Sequence, residues 1–136
     1  VSDSSGEALA DDLVAAAREA RERAYAPYSN FTVGAGVLAG GRIYSGANVE
    51  NASYGLSMCA ERVAATTAVA AGERAIEAVA VVGSATKPTP PCGACRQFLS
   101  EFGPDMLVVV ETSDGERETW RMSEVLPHAF GPSFLE

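Results

Sequence analysis

Residues 75–111 read AIEAVAVVGSATKPTPPCGACRQFLSEFGPDMLVVVE. The apolar run 75–82 has the length and composition of a strand covered on both faces, and 106–111 is a second run of that kind. Between them, the Pro-rich loop SATKPTPP leads into a helix expected over about 92–102 and ended by Gly103. A strand, a helix and a second strand of these lengths form a crossover unit. Its two strands must run parallel.

Outward from this unit the pattern continues. A second helix is expected over 59–71, ended by Gly72, after the polar loop 51–58. Before it, 31–39 and 42–50 read as strands joined at Gly40-Gly41, a hairpin turn signal. Leu9, Leu13, Ala16, Ala17, Ala20 and Ala24 recur at helical spacing and predict a first helix over 6–24. YAPYSN at 25–30 is a loop. Downstream, Asp114-Gly115 turns the chain into a strand over 116–122. Ser123 is the expected cap of a short last helix, and a tail follows Pro127. The expected architecture is a three-layer α/β/α sandwich on a mixed five-stranded sheet, formed by a single domain over residues 1–136.

Composition narrows the function. The 136 residues are 47% hydrophobic, enough for a sizeable core and against disorder. Ten Lys and Arg against eighteen Asp and Glu give a net charge of −8. Lys87 is the only lysine, so no basic stripe for a nucleic acid polymer is expected. No segment reaches the roughly 18 apolar residues of a membrane span. The start, VSDSSGEALADD, has neither the basic nor the apolar region of a signal peptide, and a cytoplasmic location is expected.

Three cysteines, Cys59, Cys92 and Cys95, fit a disulfide framework poorly. All three stand at expected helix starts, where free N–H groups and the helix dipole favour thiolate. Three thiolates at one point suit zinc and leave a fourth position open to water, as in catalytic sites. Glu61 follows Cys59 by two residues and is placed to take a proton from that water. The pattern C-A-E followed by P-C-x-x-C is the thiolate variant of the zinc deaminase signature, in which Glu is acid and base rather than ligand. Taken alone, C-x-x-C also fits a structural zinc or a redox pair, and Glu61 also fits an exposed first-turn acid. The lone His128 reads as a surface residue.

Five segments in order, AYAPYSNFTVGAGVL, GANVENASYG, CAER, PCGACRQF and LPHAFGP, resemble the small homotetrameric cytidine deaminases over nearly the whole chain. Gly36 and Ala47 stand where Ala and Cys are frequent in that family. The resemblance implies zinc-dependent hydrolysis of cytidine and 2′-deoxycytidine to the uridines and ammonia, a step of pyrimidine salvage. It implies one zinc per chain on Cys59, Cys92 and Cys95, with Glu61 moving protons to N3 and to the leaving amine. The backbone N–H of Ala60 is expected to meet the base carbonyl. Arg62 is expected to hydrogen-bond the thiolates and offset their charge, with Arg96 the weaker candidate. Asn48 and Glu50, on one face at the end of an expected strand, are assigned to the ribose hydroxyls. Phe31 and Phe130 are assigned to the pyrimidine, Phe130 from a neighbouring subunit. Tyr54 reads as an interface residue and Trp120 as packing. A deaminase of a related aminopyrimidine, such as a nucleoside antibiotic, and a non-catalytic zinc-stabilised module are the other readings of these residues.

Overall fold

The computed structural model describes residues 3–88 and 90–135. The helix α1 (Asp3–Arg21) opens the chain, followed by strands β1 (Val33–Ala39) and β2 (Arg42–Ala47). Next come α2 (Ala60–Ala70), β3 (Ala78–Gly83), α3 (Gly93–Ser100) and β4 (Leu107–Glu111). The last elements are β5 (Arg117–Arg121) and α4 (Met122–Val125). Short 3-10 turns lie at Tyr54–Leu56 and Pro132–Leu135. Every expected helix and strand is present. Several are shorter than their apolar runs, because periodicity marks burial and not where the ladder of hydrogen bonds ends.

The five strands form one mixed sheet in the order β2-β1-β3-β4-β5. The crossover unit behaves as its sequence demands, with β3 and β4 adjacent and parallel. The other three pairs are antiparallel. β1 inserts between β2 and β3, so the crossover through α2 joins strands that run the same way without touching.

Alternation along the buried strands divides the core in two. Ala35, Val37, Val79, Val81, Val108 and Val110 pack with Ala60, Ala64, Ala65 and Ala68 of α2 and Leu99 of α3. Ala78, Ala80, Val82 and Val109 point the other way and pack with Leu13, Val14 and Ala17 of α1. Each fully buried valine contributes about 1.5–3 kcal/mol relative to exposure. The three layers are thus α1, the sheet, and α2 with α3. Trp120 packs at the edge of the larger core, as expected of it.

Glycines decide how close the layers come. A Cβ on Gly34 would lie 1.9 Å from the carbonyl oxygen of Ala17 in α1. On Gly46 it would lie 2.6 Å from the backbone nitrogen of Ala64 in α2. At Gly36 the nearest atom, the Leu13 carbonyl oxygen, would be 3.0 Å away, so the glycine there relieves a tight approach of α1. Gly40 and Gly41 have φ of 59° and 76°, the left-handed pair that a two-residue hairpin turn requires.

Gly72 ends α2 as its sequence position suggests, in the left-handed region with φ of 106°. Gly103 and Ser123 differ from their sequence reading. Gly103 does not use positive φ. It is there because a Cβ would meet the Ile76 carbonyl oxygen at 2.3 Å. Ser123 does not cap the last helix. The cap position is Arg121, whose backbone N–H donates to Glu124 Oε1 at 2.7 Å, while the Ser123 hydroxyl bonds Asp105 Oδ1 at 2.6 Å.

Gly34→Ala is expected to cost about 3 kcal/mol, the upper end for overpacking, because backbone and not a flexible side chain stands in the way. Gly55→Ala, with nothing within 4 Å of the added atom, should leave stability nearly unchanged. Urea unfolding midpoints of the two variants check the contrast.

Candidate metal and catalytic site

Cys59 occupies the N-cap position of α2 and Cys92 that of α3, while Cys95 lies in the first turn of α3. The two helices lie on the same face of the sheet, so their starts converge. The three sulfurs all lie within 4.8 Å of one another. Among the described residues, no other group of three His, Cys, Asp or Glu side chains is gathered in this way. Cys95 is buried, Cys59 half-buried and Cys92 exposed, so the cluster opens to one side.

The donor set fits zinc. Three soft sulfurs, with no fourth protein ligand gathered among the described residues, match a tetrahedral metal with one position left for a small molecule. The electrostatics point the same way. The neighbouring Cys95 thiol, with Arg62 adding to it, pulls Cys59 down to about 5. Cys95, hydrogen-bonded to Cys59 and buried, is pushed up.

Arg62 stands where its sequence position suggests. Its NH2 donates to Cys59 Sγ at 3.7 Å and to the Ser57 carbonyl at 3.3 Å. Its Nε is buried with no hydrogen-bond partner among the described residues. An unmet buried donor is costly. Its presence fits a site where negative charge collects. The sulfurs of Cys59 and Cys95 raise the pKa of Arg62, so it stays charged. Arg96 is occupied elsewhere. It donates to the Pro91 carbonyl at 2.6 Å and to the Val125 carbonyl at 2.8 Å.

A cavity of 540 Å³ adjoins the cluster. Its walls include Cys59, Ala60, Glu61 and Cys92 together with Phe31, Asn48 and Glu50. The sheet thus brings together β1, the segment after β2 and the start of α2. Glu61 is only 5% exposed. Burial pushes its carboxyl up to about 7, and the nearby Cys59 charge adds to the rise.

Asn48 and Glu50 lie just past β2, which ends at Ala47 and not at residue 50. The chain stays extended there, because Val49 bridges to Tyr25 and Met58. Asn48 is nearly buried. Its Nδ2 donates to the Phe31 carbonyl at 2.8 Å and its Oδ1 accepts from the Val33 N–H at 2.9 Å, so it fixes the entry to β1. Glu50 accepts from the backbone N–H groups of Tyr28 and Ser29 and from the Ser29 hydroxyl. The Ser29 hydroxyl bond first, then these N–H groups, hold Glu50 below the usual carboxylate range.

Phe31 lines the cavity, and Phe130 does not. Phe130 is 56% exposed, with its carbonyl bonded by Gln97. Tyr54 is also exposed and meets Tyr28 edge to face, with ring centroids 5.9 Å apart. His128 is exposed and outside the sulfur cluster, as expected of it. Sequence reading missed further lining residues, among them Lys87, Glu111 and Thr112. Glu111 is buried between Arg18 at 2.6 Å and Arg117 at 2.9 Å. Arg117 faces Glu111 across the β4–β5 hairpin, but Arg18 comes from α1, 93 residues away, so no local pattern could have revealed the triad.

Residues 8–111 match the model of the cytidine and deoxycytidylate deaminase zinc-binding region. The chain is 48% identical to a cytidine deaminase of Halalkalibacterium halodurans over 120 residues, 87% of this chain and 91% of that one. It is 45% identical to a cytidine deaminase of Sporosarcina psychrophila over 127 residues, 92% of this chain and 93% of the relative. The crystal structure of cytidine deaminase from Burkholderia pseudomallei superposes with a TM-score of 0.85 at 49% identity, covering 88% of this chain and 98% of that one.

A carboxyl held above its ordinary value of 4.5 costs folding stability as pH rises past that value, and the cost is complete above about 7. The rise corresponds to roughly 3 kcal/mol. Metal-free Glu61→Gln should therefore gain on metal-free wild type between pH 4 and pH 8, by up to about 3 kcal/mol. Urea midpoints at pH 4, 6 and 8 check this. A difference that stays constant with pH would remove burial of an ionisable Glu61 as the cause.

Proposed function

The chain belongs to the family of zinc-dependent cytidine and deoxycytidylate deaminases, and from that membership we propose how its residues divide the work. The activity is hydrolytic deamination of cytidine to uridine with release of ammonia. We extend it to 2′-deoxycytidine and place it in pyrimidine salvage. One observation carries the residue assignment. The buried Glu61 lines the same cavity as Cys59 and Cys92, at the edge where three sulfurs gather.

Cys59, Cys92 and Cys95 would hold the zinc. When bound, zinc is a Lewis acid that makes water a nucleophile near neutral pH. Glu61 carries the protons. It takes one from the attacking water and returns protons to N3 and to the leaving amine, so one carboxylate serves as base and then acid. A pKa near 7 suits both directions, and burial produces it. The N–H of Ala60, the first residue of α2, has no partner within the helix and is aimed at the base carbonyl. Arg62 holds the Cys59 sulfur and opposes the charge of the thiolates.

Asn48 and Glu50 bind the ribose hydroxyls with the hydrogen-bonding capacity they retain beyond their backbone partners. Both line the cavity that Cys59 and Cys92 also line, which supports this reading. Phe31, lining the same cavity, packs against the pyrimidine. Phe130 acts in a neighbouring subunit of a homotetramer. Its exposure and its absence from its own cavity support that placement. The whole chain is read as one domain. A cytoplasmic location is proposed because three free thiols gathered as metal ligands suit a reducing compartment.

Metal content and loss of the cytidine absorbance band test the scheme together. Wild type should carry one zinc per chain. Glu61→Gln should keep zinc and lose ~10²–10⁴-fold or more in rate. Cys95→Ser should lose zinc and activity together, since a hard oxygen replaces a soft thiolate. Zinc lost from Glu61→Gln, or kept at full activity in Cys95→Ser, would overturn these roles. The ribose reading is checked by Glu50→Ala, which should impair turnover of cytidine much more than that of free cytosine. Equal relative losses on the two substrates would remove Glu50 from sugar binding.

A further inference from the structure

Two neighbouring side chains of α3 hold the end of α4 and the segment that follows it. Arg96 bonds the Val125 carbonyl at 2.8 Å, and its neighbour Gln97 donates through Nε2 to the Phe130 carbonyl at 2.9 Å. The chain then turns through Pro132–Leu135 and brings Phe134 back onto Phe130. The two rings are stacked, with centroids 5.6 Å apart and planes 17° from parallel.

This arrangement is unusual for its surroundings. Phe134 is 67% exposed and Phe130 56% exposed, so the pair buries little against its own fold. Neither ring belongs to either hydrophobic core. An exposed aromatic stack contributes little to folding beyond the contact between its rings. What it does is fix one ring. Phe134 lies offset against Phe130, and more than half of Phe130 stays exposed.

We propose that Phe134 and Gln97 are positioning residues that pre-set Phe130 for the pyrimidine ring of a neighbouring site. The proposal rests on the reading that Phe130 acts on that pyrimidine. A ring on a free tail loses conformational freedom when it docks on substrate. Here Gln97 fixes the backbone at Phe130 and Phe134 fixes its ring orientation, so that loss is met on folding. Preorganisation of this kind raises affinity without adding a contact to the ligand. Gln97 lies two residues beyond Cys95, so the helix that carries two sulfurs of one site also anchors the aromatic intended for the next.

The test uses the intact oligomer and steady-state kinetics on cytidine. Phe134→Ala should raise KM about two- to tenfold, the worth of one aromatic pair, with kcat within about twofold. Phe134→Tyr, which can still stack, should restore KM. Gln97→Ala should raise KM in the same sense. In a Phe130→Ala background, Phe134→Ala should have no further effect, since nothing is left to position. An unchanged KM in Phe134→Ala, or an equal increase with and without Phe130, overturns the proposal. The underlying reading is tested separately. Phe130→Ala alone should raise KM, and mixing Phe130→Ala with Glu61→Gln subunits should restore activity above either parent after exchange confirmed by mass. A normal KM in Phe130→Ala, or no recovery on mixing, overturns that reading and the proposal with it.

Discussion

The starts of α2 and α3 meet over one face of the sheet, and the chemistry of the site depends on that meeting. A helix start concentrates free N–H groups and partial positive charge. Two of them side by side make a place where thiolates are tolerated. Cys59 and Cys92 occupy the two cap positions, and Cys95 reaches the same point from the first turn of α3. The convergence requires α2 to lie close on β2, which Gly46 permits by having no side chain toward Ala64 and Val63. On the opposite face, Gly34 does the same for α1.

Electrostatics at the site is a balance among groups that would each be costly alone. Thiolate charge raises the cost of ionising Glu61, which burial has already raised. The guanidinium of Arg62 opposes both and is held charged by the sulfurs. An acid with a pKa near neutrality is thus obtained at the expense of folding stability. The polar lining at Asn48 and Glu50 is organised differently. Both side chains are held by backbone groups of residues 28–33.

The tail extends the same logic beyond the cavity. Adjacent side chains on α3 divide their attachments, Arg96 to Pro91 and Val125, and Gln97 to Phe130. One short helix therefore supports the sulfur cluster, the loop that leads into it and the segment that leaves the fold. The chain after Pro127 is tied to α3 by the Gln97 hydrogen bond and folds back on itself through a ring stack.

Much of this was legible in the sequence. The buried runs at 75–82 and 106–111 required parallel strands, since a helix-length segment must cross between them. Gly40-Gly41 required a tight hairpin, and Gly72 a left-handed helix end. The pairing of C-A-E with P-C-x-x-C pointed to three sulfurs at one place, and the fold gathers Cys59, Cys92 and Cys95 within 4.8 Å of one another. What tertiary structure alone decided lies where partners are distant. Glu111 meets Arg18 across 93 residues, Gln97 meets the Phe130 carbonyl across 33, and Gly103 is small because Ile76 passes beside it. Local periodicity and spacing report on neighbours along the chain. These contacts join segments brought together only when the layers pack, so close approach and charge pairing between them are properties of the fold.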